Sequence, residues 1–215
     1  MDKPLVIVGT GLLAEQVAFY LGGVAGRPLA AFVLDPQYIR EPTFLQRPVL
    51  DFVEAQARFP ASTHDLFVAI GHTATAARRR WFDTAMAAGY SLPSYVHPTA
   101  WVAQNVAVGA NTLIQEQAVV APFVRLGDNV TLCPQVGINH HTRVGSHCFF
   151  APGARVAGDA DIGPGCFIGL GALVRDRVRV GEGCVIGAGA VIMADCPAGG
   201  LYRATRTDRT REVES

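Results

Sequence analysis

The chain has 215 residues, half of them hydrophobic and only 17 % charged, with a formal net charge of zero. That balance gives no electrostatic reason to expect nucleic acid or an anionic membrane surface as a partner. No stretch reaches the roughly 18 consecutive apolar residues that a transmembrane helix needs, so no membrane insertion is expected.

The chain opens on "MDKPLVIVGTGLLAEQVAFYLGG", apolar but interrupted by Gly9, Gly11 and Glu15. It lacks a basic n-region and a cleavage pattern, so it is expected to be mature protein. Five cysteines, an odd number, suit a reducing compartment and make the cytoplasm the expected location. Up to residue 94 the chain alternates strand-like and helix-like stretches. Residues 4–9, 29–35 and 65–71 read as buried strands. Residues 12–23, 49–59 and 74–89 read as helices, the second with Pro48 at its start. Such alternation predicts a parallel sheet with helices packed on it.

"VIVGTGLLA" sets Gly9-x-Gly11-x-x-Ala14 after a strand and at a helix start, the context of a dinucleotide fingerprint. Glycines let backbone approach a phosphate, and the helix start offers free N–H groups. Asp35 ends the second strand, where a carboxylate could bond a ribose or base edge. About 90 residues supply only three or four strands, which suits a mononucleotide or nucleotide sugar better than NAD. A glycine turn serving strand–helix packing alone is the plain alternative. "GHTATAARRR" (71–80) adds His72 and three arginines, which could meet a phosphate or simply form a solvated face.

From residue 95 the pattern becomes a repeat. Every sixth residue from Val102 to Ile192 is large and apolar, and every sixth from Val106 to Cys196 is small or medium. In a chain half hydrophobic, an unbroken run of this length has a chance probability on the order of 10⁻⁵. A period of six predicts a hexapeptide β-helix with three hexapeptides per 18-residue coil and just over five uninterrupted coils. Cys148, Cys166 and Cys184 should then stack as an interior column, with Cys196 in a like position on another face.

"TLCPQVGINHHTRVGSHCFF" (131–150) holds three of the six histidines. On the six-residue ruler His140 and His141 fall outside the inward series. A catalytic zinc needs three protein ligands, yet no histidine follows His147 and none lies between 98 and 139, so no metal is expected. Acyl transfer from a thioester needs less, namely placement and one base, which a single histidine can supply.

The combination "VIVGTG…FVLD…FVAIG", "YVHPTA" (95–100) and "NHHTRVGSHCF" resembles the bacterial sugar acyltransferases, both the sialic acid O-acetyltransferase-like proteins and the nucleotide-linked amino-sugar N-acetyltransferases. The resemblance implies a Rossmann-like α/β domain (1–94), a left-handed parallel β-helix (95–202) and a polar tail (203–215). It also implies a homotrimer that uses acetyl-CoA on a nucleotide-linked sugar of surface-glycan synthesis. The family's base falls on His140, flanked by Asn139 and His141 where characterised relatives carry an acidic neighbour. Gly9, Gly11, Leu12, Asp35 and His72 would bind the nucleotide sugar. Phe149, Gly158, Gly169, Leu170 and Gly187 would contact the coenzyme, Phe149 standing where relatives carry a histidine. A sugar amine is the expected acceptor, with a sugar hydroxyl or a non-catalytic nucleotide-sugar scaffold as alternatives.

Overall fold

The computed structural model describes residues 2–204, and residues 205–215 of the polar tail lie outside them. The chain begins with a five-stranded sheet built from β1 (Leu5–Val8), β2 (Leu29–Val33), β3 (Thr43–Phe44), β4 (Arg47–Leu50) and β5 (Asp65–Val68). Its order is β3-β4-β2-β1-β5, with only the β3–β4 pair antiparallel. Period-two alternation sends Leu5 and Ile7 to one side of β1 and Val6 and Val8 to the other. The first side packs on α1 (Leu12–Val17), whose spiral continues as a π-helix over Ala18–Val24. The second packs on α2 (Phe52–Arg58) and α3 (Thr75–Ala87).

One expected helix is shorter than its pattern suggests. Residues 47–50 are strand, and α2 starts only after Asp51, whose carboxylate accepts the Glu54 N–H at 2.8 Å. This N-cap decides the boundary, because it leaves Val49 and Leu50 free to pair with β2. Pro48 therefore lies in β4, opposite Thr43 of the short edge strand, rather than at a helix start.

From Tyr95 the chain winds as a left-handed parallel β-helix of three faces. The first face stacks strands from Tyr95–Val96 to Leu201–Tyr202, the second from Trp101–Val102 to Val191–Ile192, and the third from Ala107–Val108 to Arg179–Val180. Neighbouring strands pair at a spacing of 18, as in Leu113↔Thr131↔Phe149↔Phe167. The inward series is buried from Ile114 onward, while Val102 and Val108 at the open end are partly covered. Each fully buried Val, Ile or Leu is worth roughly 1.5–3 kcal/mol. The cysteine column forms as expected: the thiols of Cys148, Cys166 and Cys184 each donate to a carbonyl of the next coil, at 3.2, 3.1 and 3.0 Å.

Every sixth residue from Asn111 to Gly189 has φ between 53° and 71°, so each corner turns through the left-handed region. His141 and His147 both occupy such positions. The last coil is tighter than the regular repeat: Val185 pairs with Leu201, not with a residue 18 further on, and Val180 bridges to Cys196. Here the Asp195 carboxylate accepts the Arg179 N–H at 2.8 Å.

The α/β unit is seated on the first face and on the corner leading into it. Asn111 side chain extends the sheet edge, accepting from Val68 N–H at 2.8 Å and donating to Val68 O at 3.0 Å. Arg78 of α3 is fully buried in this seam. Its Nη2 donates to Asn129 O at 2.6 Å and to Thr131 Oγ1 at 3.0 Å, and its guanidinium lies 5.7 Å from the Phe149 ring. No carboxylate pairs with it among the described residues. Burial pushes the guanidinium down to about 10, so it stays charged at neutral pH.

Candidate active site

Two recesses collect the candidate residues. The larger, about 820 Å³, opens between the α/β unit and the β-helix, beyond the carboxyl ends of β1 and β5. In an open α/β sheet this is where the crevice for a ligand forms. Gly9, Gly11, Leu12, His72 and Phe149 all line it. Gly9 has φ +115°, and a Cβ there would meet Ala69 O at 2.8 Å, so glycine is required by the close approach of β1 and β5. A Cβ at Gly11 would meet nothing within 4 Å, because it faces the open cleft.

His72 sits in the short turn His72–Ala74 after β5, its ring stacked on Phe167 at 4.2 Å and 5.1 Å from Phe149. Burial, then the Arg78 cation, hold its imidazole below the usual histidine range, so it is neutral at pH 7. Asp35 stands outside the cleft lining. Arg80 grips its carboxylate with both nitrogens, at 2.5 and 3.2 Å. Of the three arginines that could meet a phosphate, Arg78 is buried in the seam, Arg80 holds Asp35, and Arg79 lies 3.7 Å from Glu182.

Sequence reasoning missed the β-helix side of this cleft. Gln115, Cys133, Pro134, Ala151 and Pro152 line it from the first corner, opposite Gln16 and Tyr20 of the first helix. Gln115 donates to Gln16 at 3.0 Å, and the Tyr20 hydroxyl donates to the Glu116 carboxylate at 2.7 Å. Burial pushes the Cys133 thiol up to about 12, so it stands in the wall as a neutral thiol. The signal was present: these residues follow the inward residues Ile114, Leu132 and Phe150 at the same phase of the repeat.

The smaller recess, about 560 Å³, lies on the second corner and is lined by His140, His141, Gly158, Asp159, Asp176 and Arg177. His140 is exposed, and its ring lies across Gly158 of the next coil. A Cβ at Gly158 would meet His140 Cε1 at 2.5 Å, Nε2 at 2.7 Å and Nδ1 at 2.9 Å. The two Nδ1 atoms of His140 and His141 are 3.2 Å apart, and the His141 ring stacks on Phe123 at 4.7 Å. Asn139 turns away from this pair and donates to Val156 O at 3.1 Å.

The remaining nominated positions lie elsewhere. Gly169 and Gly187 are stacked one coil apart on the first corner, and Leu170 beside them is 57 % exposed. These three therefore continue the corner that carries the cleft, whereas Gly158 shares the corner of His140. Among the described residues no three His, Cys, Asp or Glu side chains gather as a metal would need, and no helix is long and apolar enough to cross a membrane.

Residues 123–158 and 159–194 each match the bacterial transferase hexapeptide (six repeats) family. No curated protein sequence matches the chain. Among solved structures it is similar to the acetyltransferase domain of PglB from Neisseria gonorrhoeae FA1090 in complex with acetyl coenzyme A. The identity is 27 %, with 95 % of this chain and 97 % of that chain covered and a TM-score of 0.86. It is equally similar to PerB from Caulobacter crescentus in complex with CoA and GDP-perosamine, at 28 % identity, 94 % of both chains and a TM-score of 0.83. WeeI from Acinetobacter baumannii AYE shares the fold at 22 % identity over 92 % of this chain and 95 % of that one, with a TM-score of 0.69. In repeat and in whole-chain fold the protein is similar to the bacterial sugar acyltransferases, and it is itself an acyltransferase.

Proposed function

We propose that the protein is an acetyl-CoA-dependent N-acetyltransferase acting on an amino group of a nucleotide-linked sugar in surface-glycan synthesis, with His140 as general base. The observation that carries this reading is the placement of His140: an exposed imidazole laid flat over a glycine, at the mouth of an open recess, on a hexapeptide β-helix. In the proposed step the unprotonated Nε2 of His140 takes a proton from the sugar amine as its nitrogen bonds the thioester carbonyl carbon. As the tetrahedral adduct collapses, the C–S bond breaks and the thiolate leaves. The imidazolium returns its proton to that sulfur, so the products are the amide and free thiol. Backbone N–H groups would hold the oxyanion.

The nucleotide sugar is assigned to the cleft at Gly9, Gly11, Leu12 and His72, whose walls are largely apolar with a few polar groups, as small-molecule sites are. The cleft lies on the first corner and His140 on the second. Between them runs the second face, which turns outward the exposed apolar residues Trp101, Val119, Leu173 and Val191, with Gly137 and the exposed Arg155 between them. The third face instead turns Arg125, Arg143, Asp161 and Arg179 outward. A homotrimer packed through the second face would bring the first corner of one copy against the second corner of the next. His140 and Gly158 would then face Gly169, Leu170 and Gly187 of the neighbour, with the coenzyme between them and Phe149 at the cleft.

The test is coenzyme A release with nucleotide-linked amino sugars, comparing wild type with His140→Ala. A positioned base contributes about 10²- to 10⁴-fold, so the variant should lose that much in kcat. Release by the variant at wild-type rate would remove His140 from the chemistry. Absence of release by the wild type with every amino sugar tried would remove the acetyltransferase reading.

A further inference from the structure

We propose that His141 is a positioning residue that fixes the tautomer of His140 by accepting its Nδ1 proton, so that a neutral imidazole rather than a carboxylate backs the base. The inference rests on the reading of His140 as base. For Nε2 of His140 to accept a proton, its Nδ1 must carry hydrogen, and that N–H needs an acceptor. The only side-chain polar atom within hydrogen-bonding distance of it among the described residues is His141 Nδ1, at 3.2 Å. His141 must then be protonated at Nε2 and offer its Nδ1 lone pair. The reverse arrangement, with His141 Nδ1–H donating, leaves His140 Nε2 protonated and unable to act as base.

The structure holds both rings for this task. Gly158 supplies the flat bed under His140, and its lack of a Cβ lets the ring approach closely. His141 is fixed at a corner with φ +61°, and its ring stacks on Phe123, the residue one coil before it, at 4.7 Å and 27°. Asn139, the other neighbour, donates through Nδ2 to Val156 O, and its side chain makes no hydrogen bond to His140. When His140 gains the substrate proton, the N–H···N contact becomes charge-assisted and the pair shares one positive charge. The charged groups facing the pair are Asp159, Asp176 and Arg177, which line the same recess.

Two measurements test the inference. First, ¹⁵N spectra of the wild-type protein, with the pair assigned by difference from His140→Ala and His141→Gly, should show His140 protonated at Nδ1 and His141 at Nε2. Two Nε2–H imidazoles would overturn it whatever the activity. Second, His141→Gly suits the positive φ and removes the ring together with its Cβ. It should lower kcat for coenzyme A release about 10- to 100-fold, a part of what a positioned base supplies, with KM for acetyl-CoA unchanged. His141→Glu should recover most of that loss and move the acid limb of the kcat profile to higher pH, because a carboxylate stabilises the imidazolium. A His141→Gly enzyme within twofold of wild type, while His140→Ala is inactive, would overturn the role of His141 and leave that of His140 standing. If both variants keep full activity, the base assignment itself falls.

Discussion

His141 and His147 occupy equivalent points of the repeat on two successive corners, with φ +61° and +66°, yet their surroundings are opposite. The His141 corner is open to solvent and carries the recess with His140. The His147 corner is closed by the α/β unit. There Asn111 Nδ2 donates to Asn129 Oδ1 at 2.9 Å, and Asn129 Nδ2 lies 3.0 Å from His147 Nδ1. The Phe82 ring meets the His147 ring edge-on at 5.4 Å. One backbone geometry thus yields an open recess at one corner and a structural seam at the next. The repeat does not decide which; the helix that covers one corner does.

The largest way to break the contrast is to unseal the covered corner. Arg78→Ala removes donors from three acceptors in the seam, Asn129 O, Thr131 Oγ1 and Cys148 O, and leaves a hole beside Phe149. Lost charge-assisted hydrogen bonds and lost packing should together cost about 3 kcal/mol in urea unfolding. Arg78→Lys should recover little, since a single ammonium cannot reproduce the planar fork whose Nη2 reaches Asn129 O and Thr131 Oγ1 while Nη1 points at Cys148 O, 3.5 Å away. A stability unchanged to within about 0.5 kcal/mol, the range of an ordinary surface substitution, would show that the seam does not depend on Arg78.

A smaller perturbation tests the open corner. Gly158 lies 18 residues beyond His140, and at the covered corner the position 18 beyond Ser146 is Pro164. Bulk is tolerated there because no ring lies across it. Gly158→Ala should push the His140 ring outward and lower kcat about tenfold, equivalent to about 1.4 kcal/mol of barrier. The exposed ring can swing into solvent, so the thermal midpoint should scarcely move. A fall in stability without a fall in kcat would mean that Gly158 serves coil packing rather than the base.

These comparisons show where the sequence was readable. The β-helix was legible because the same inward choice recurs every six residues, so each local signal is repeated along the domain. The tight final coil was not legible, since Asp195 replaces regular spacing by a single side-chain bond to Arg179 N–H. The run Val49–Leu50 fits either a strand or a helix, and only the Asp51 cap with Glu54 separates them. Arg78 read as one of three arginines that could meet a phosphate or form a solvated face. Yet it shares a helix face with Trp81, Phe82 and Ala85, at spacings of three, four and seven, all buried. That spacing was visible, but its meaning depended on carbonyl oxygens far along the chain. Asp35 read as a carboxylate for a ribose or base edge, and its partner Arg80 could not be named from the sequence because only the fold brings it near.

The smallest expected effect concerns the pH response of the covered corner. Burial, reinforced by Arg79 and Arg78 and opposed by Asp83 and Asp128, holds His147 below its ordinary value. The folded protein therefore keeps this imidazole neutral at a pH where the unfolded chain has already bound a proton. Below about pH 6.5 the unfolded state carries more protons, so stability should fall as pH drops from there toward the lowered folded value. His147→Asn keeps a residue suited to positive φ and removes the titrating group. Between pH 7.5 and 5.5 the variant should lose less thermal stability than wild type. His72, shifted in the same direction, remains in both proteins and should leave a residual slope. A variant whose stability falls as steeply as wild type over that interval would place the acid sensitivity elsewhere. A variant that falls more steeply would mean that His147 gains stability on protonation, contrary to its burial among arginines.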